Sequence, residues 1–162
     1  MSYSSYMNAF DLFFPEDLGR VEVSSKGLER SEVILRTLNE AGYGACVKLL
    51  KQTRMREPAS PVSLAMCMKT ADIARASLEI RGYDLGEDRC LARSMALAAY
   101  MWESNVPVEL KIGVSRFASL AESEFHAWNE YQGTPIAAYR EVVGVFEIVQ
   151  CIGPAIVAEC RE

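Results

Sequence analysis

Gly86-Glu87-Asp88-Arg89-Cys90-Leu91-Ala92-Arg93-Ser94-Met95-Ala96-Leu97 sets two acidic residues ahead of a cysteine and follows it with helix formers that continue to Trp102. Carboxylates before and helix formers after is the order that the helix dipole favours, so this stretch predicts a helix with Cys90 at its N-terminus. The free backbone N–H groups of a first helical turn stabilise a thiolate over a thiol, which is what a cysteine nucleophile needs. Such a nucleophile also needs a base. The chain has one histidine, His126, 36 residues further on within Phe125-His126-Ala127-Trp128-Asn129-Glu130.

Downstream of Asn105-Val106-Pro107, the segment Val108 to Val114 alternates as a half-buried strand, and Glu124 to Tyr131 alternates as a second. Gln132-Gly133 reads as a turn, making Thr134 to Tyr139 the third strand of an antiparallel meander. On the second strand His126, Trp128 and Glu130 share one face, expected to point toward the helix that carries Cys90. Upstream, Ser31 to Glu40 has apolar residues at helical spacing and stops at Ala41-Gly42 in a glycine cap. A second helix is expected over Ala45 to Gln52. Pro58 and Pro61 then break the chain before an amphipathic helix from Ser63 to Ile80 that Gly82 ends. The first 20 residues mix aromatics with Pro15 and Gly19, which suggests an irregular arm or a short strand. Helices first and a sheet afterwards is an α+β order. Residues 1–61 are expected to form a mostly helical N-terminal subregion and residues 62–162 the core of what is one compact domain overall.

A chain of 162 residues matches a single domain. Half of it is hydrophobic and a quarter charged, with no apolar run near 18 residues, so no membrane span is expected. The N-terminus lacks the basic region and apolar core of a secretory signal, and a cytoplasmic, reducing location is the expectation. The five cysteines are odd in number and widely spaced, with no CxxC pair, so neither disulfides nor structural zinc is expected. A net charge of −5 without a concentrated basic patch argues against a nucleic-acid surface. Cys90 alone would be read as a buried small hydrophobe and His126 alone as a core histidine; together they read as a nucleophile and its base.

Four pieces occur in order: Cys90-Leu-Ala-Arg-Ser-Met-Ala-Leu97, Leu110-Lys-Ile-Gly-Val114, His126-Ala-Trp-Asn-Glu130 and Gly133-Thr-Pro-Ile136. Their series resembles the lasso-peptide B proteins, whose pattern is similar to C-L-x-x-S-x-A-L, L-x-I-G-V, H-A-W-V-E and a G-x-x-[VIL] turn. The likeness extends over about Cys90 to Ile148. It implies a transglutaminase-like, papain-like fold, with a helical N-terminal half and the nucleophile at a helix N-terminus packed on an antiparallel sheet.

The resemblance also implies a cysteine peptidase that cleaves the leader from a lasso-type ribosomal precursor peptide. In that family the cysteine attacks, the histidine shuttles protons and an aspartate orients the imidazole. Here the chain departs, because Ile136-Ala137-Ala138-Tyr139 places Ala138 where the acid usually stands. Glu130 lies about 13 Å along the strand from His126, leaving Glu141, folded back, as the candidate third member. Trp128 is expected to wall the site, whereas Arg93 and Ser94 read as a helix-surface charge and a small packing residue. Neither a cofactor nor a metal is implied. The implied partners are the precursor peptide, an ATP-dependent lasso cyclase and a separate leader-recognition protein, because Met1 to Gln52 lacks the small strand set of a fused recognition domain. Two alternatives stay open: a transglutaminase-fold acyltransferase in which an amine resolves the thioester, and a weak or inactive relative that binds a precursor or partner.

Overall fold

The computed structural model describes residues 21–58, 60–117, 124–138 and 142–157. The expectation for the first 20 residues therefore lies outside the described residues. Helix α1, Ser25–Gln52, starts six residues before its expected beginning, because the Ser24 hydroxyl accepts from Gly27 N at 3.0 Å and caps it. Within it only Gly42 leaves helical geometry, at φ 78° and ψ −177°, so two helical lengths flank one break as the glycine predicted. Helix α2, Leu64–Ile80, is capped by Ser63, which accepts from Met66 N at 3.1 Å. A 3-10 turn, Glu87–Arg89, leads into α3, Cys90–Glu103.

Helix α3 is the central element, with ten consecutive residues, Arg93 to Trp102, buried. It lies between α1 and the sheet. Against α1, the Ser31 hydroxyl donates to Ala96 O at 2.8 Å and Ser24 N donates to the Tyr100 hydroxyl at 2.9 Å. Gly27 permits this approach, since a Cβ there would stand 2.8 Å from Tyr100 Cδ2. At its other end the Trp102 indole donates to Val108 O at 2.8 Å and fixes the entry to the sheet.

The sheet consists of β2, Glu109–Ser115, β3, Phe125–Tyr131, β4, Thr134–Ile136, and β5, Phe146–Ile152, in the antiparallel order β4-β3-β2-β5. A separate parallel pair joins β1, Arg54–Arg56, to β6, Ala155–Val157. The β3–β4 turn has Gln132 at φ 49° and Gly133 at φ 81°, the two left-handed positions of a tight hairpin. The expected third strand ends three residues early, because Ala137 at φ 52° turns the chain out of the sheet. Strand β5, on the far side of β2, was not expected at all. One hydrophobic cluster fills the space between the helices and one face of the sheet. A smaller one, Trp128, Val142 and Phe146, covers part of the other face.

Cys67, wholly buried in α2, is a probe of this packing: burial pushes its thiol from its ordinary 9.0 up to about 11. On raising the pH the unfolded chain loses this proton first, so stability is complete below about pH 9 and falls as the pH climbs toward 11. Urea unfolding should register a loss of about 2–3 kcal/mol across that window, and Cys67→Ala should flatten it.

Candidate active site

Cys90 begins α3 and is half-buried. No side chain caps the helix at Arg89, and the first turn of α3 carries no acidic residue, although Glu87 and Asp88 stand in the 3-10 turn that leads directly into it. The approach to Cys90 is held from inside the fold by Arg93. Its guanidinium is 1% exposed and Nη1 donates to Gly86 O at 2.7 Å and Leu85 O at 3.3 Å. This corrects the reading of Arg93 as a helix-surface charge: the side chain turns back under the loop and satisfies its carbonyls.

One turn along α3, Ser94 joins the helix to the strand that carries the histidine. Its hydroxyl donates to Ala127 O at 2.9 Å, and the Asn129 side-chain amide donates to Ser94 O at 3.0 Å. Both side chains are buried, so these bonds act in a low-dielectric setting where breaking them leaves buried polar groups unsatisfied. Ser94 is thus a connector as well as a small packing residue.

These bonds also decide which face of β3 meets the helix. Asn129 and Tyr131 belong to that face, the latter donating from its hydroxyl to Val62 O at 2.5 Å. The expectation that the His126, Trp128 and Glu130 face points to α3 is therefore corrected. His126, 1% exposed, stacks on Phe146 with ring centroids 5.2 Å apart and on Trp128 at 6.2 Å. Gly113 pairs opposite His126 on β2, and a Cβ there would meet Phe146 Cβ at 2.9 Å, Glu147 O at 3.0 Å and Trp128 Cη2 at 3.0 Å.

Cys90 and His126 border one cavity of about 300 Å³ at the N-terminal end of α3. Tyr43, just past the break in α1, and Gln150 on β5 border it as well, and the Tyr43 hydroxyl donates to Gln150 Oε1 at 2.5 Å. Burial pushes the Tyr43 phenol above its ordinary value, which keeps it a donor. Neither residue was singled out from the sequence. Trp128 lines a different hollow, with Glu130, Val142 and Phe146, and backs onto His126.

Of the carboxylates considered for the third position, Glu130 is already engaged, accepting from the Trp128 indole at 3.3 Å with Lys111 Nζ at 3.9 Å. Lys111 also pairs with Glu109 at 2.8 Å and holds that carboxyl below its usual range. Ala138 packs beside the Trp128, Val142 and Phe146 cluster. Glu141 lies outside the described residues. Among the described residues no three metal-ligating side chains converge.

The cavity is bordered by a thiol at a helix N-terminus and by the β3 segment that carries His126, whose ring stacks on Phe146 and Trp128 on the sheet face turned away from α3. A thiol and an imidazole are the parts that acyl transfer through a thioester requires. No helix among the described residues is long and apolar enough to cross a membrane. Neither the curated proteins nor the solved structures include a match to the chain. A family model does match it, over residues 33–150, and is described as the transglutaminase-like superfamily.

Proposed function

Because the chain belongs to the transglutaminase-like superfamily, we propose that it is a cysteine peptidase that removes the leader from a lasso-type ribosomal precursor peptide in the cytoplasm. The observation that carries the reading is the cavity bordered by Cys90 and by the β3 segment that carries His126, with both residues inside the matched span. The lasso assignment is supported by the four motifs in order, from Cys90-Leu91 through His126-Ala127-Trp128 to the Gly133 turn.

In this reading Cys90 attacks the leader–core peptide carbonyl as the thiolate, and its own backbone N–H at the start of α3 meets the oxyanion. His126 protonates the leaving amine of the core peptide. It then takes a proton from water, which hydrolyses the thioester and releases the leader acid. The chemistry needs no cofactor. The freed core amine passes to an ATP-dependent cyclase, and a separate protein presents the leader. With Ala138 at the position of the orienting acid, the imidazole is held by its stack on Phe146 and Trp128, and in this reading it swings out of that stack to serve Cys90.

Purified protein incubated with a lasso-type precursor and its leader-recognition partner should yield leader and core peptides whose masses together exceed the precursor by one water. The same incubation with a small primary amine in excess separates the alternatives. A leader carrying the amine in place of the acid would assign an acyltransferase, and a precursor bound but uncut would assign a binding module.

A further inference from the structure

The walls of the Cys90 cavity carry more chemistry than the nucleophile and its base. Leu91, Ile112, Phe125 and Val149 supply its apolar surface, from α3 and three adjacent strands. Among the described residues no Asp, Glu, Lys or Arg borders it, and its Tyr43 and Gln150 side chains are bonded to each other. A charged group entering would lose its water and find no counter-charge, whereas an apolar group would lose nothing. Phe125 and Val149 are 60% and 57% exposed. Single exposed apolar residues are ordinary, but these two border the same nucleophile-bearing cavity, the arrangement of a ligand site. Its volume is compatible: about 150 Å³ of apolar cavity holds a benzene, so about 300 Å³ has room for one large apolar side chain together with the peptide backbone that carries it.

We propose that this cavity is a specificity pocket that receives a single bulky apolar side chain, aliphatic or aromatic, within one residue of the carbonyl attacked by Cys90. The proposal rests on the acyl-transfer reading of Cys90 and deepens it, by naming the substrate as a peptide with an apolar residue flanking the scissile bond. A residue advances the chain by about 3.3–3.6 Å, and the nucleophile is itself in the wall, so a more distant side chain would overshoot. Transfer of a Leu- or Phe-sized group into a partly open apolar site favours it roughly 10- to 30-fold over a small polar one.

The test uses the intact protein and small alkylating probes, so it does not depend on knowing the precursor. Rates of modification at Cys90 are measured by mass spectrometry with iodoacetamide and with N-(2-phenylethyl)iodoacetamide, each normalised to exposed Cys151 in the same molecule. The expected result is a saturable preference for the phenylethyl probe of roughly 10- to 30-fold at Cys90 and none at Cys151. Val149→Asp, at an exposed position, should cut that preference below about threefold while iodoacetamide still reacts; Leu91→Ala should weaken it. Buried Cys46 and Cys67 must stay unmodified throughout, which certifies the fold of each variant. Equal probe preference at Cys90 and Cys151, or a preference that both folded variants retain, would overturn the proposal. Failure of precursor cleavage with the Cys90 preference intact would instead overturn the peptidase reading and uphold the pocket.

Discussion

Cys90→Ala is expected to abolish processing of any peptide that the wild type cuts, lowering the rate by about 10⁴-fold or more while the thermal unfolding midpoint stays within a few degrees. The residue is only half-buried at the first position of α3, so removing its sulfur opens little cavity, whereas no other side chain there can form the thioester. His126→Ala should lower the rate by about 10³-fold. If the two act as one unit, as proposed, the double variant should be no slower than the slower single one. Single-turnover cleavage followed by mass spectrometry checks this. Multiplying effects would show that the two residues act independently and would remove His126 from the mechanism. The thiol itself gives a second reading: alkylation at Cys90 should slow in His126→Ala while alkylation at Cys151 does not.

The second large effect is structural and concerns a residue with no side chain. Gly113→Ala should destabilise the protein by about 3 kcal/mol, with a fall in the unfolding midpoint of roughly 6–12 °C. The added carbon meets Phe146 Cβ and Glu147 O, neither of which is the free end of a flexible side chain, so β5 itself must move away from β2. Phe146 is also a ring on which His126 rests, so the variant should lose cleavage activity beyond what its unfolded fraction explains. Differential scanning calorimetry beside single-turnover rates separates the two. An unchanged midpoint would mean that the β2–β5 interface has slack that the contact distances deny.

What could be read in advance follows from how locally each element is determined. The helix that begins at Cys90, the break at Gly42 and the Gln132-Gly133 hairpin are written in residues that act on their immediate neighbours, and all three are present. The start of α1 was missed because Ser24-Ser25-Lys26 has no apolar periodicity, although Ser24 is a good cap. Strand β5 was missed because it lies at the sheet edge, where Glu147, Ile148 and Val149 are all exposed and the alternation that marks a half-buried strand is absent. A register shift against β2 between Ile112 and Gly113 obscures it further. With β5 unread, the Tyr43–Gln150 bond could not be foreseen, since it joins residues 107 apart in the chain. Arg93 was misplaced for the opposite reason. Amphipathic reasoning gives a helix one buried face, and α3 is buried on every side over ten residues.

The parallel pairing of β1 with β6 has a consequence for synthesis on the ribosome. Arg54 pairs opposite Ala155, so the earliest of the six strands to be made has its partner in the last. At about 5–20 residues per second, the intervening hundred residues hold β1 without that partner for roughly 5–20 s. During that interval the helices and the four-stranded sheet can assemble, while the edge at Met55 stays open to other chains. The β1–β6 pairing can form only after residues 155–157 have been made, so this step of folding is timed by translation and not by the stability of the parts already formed.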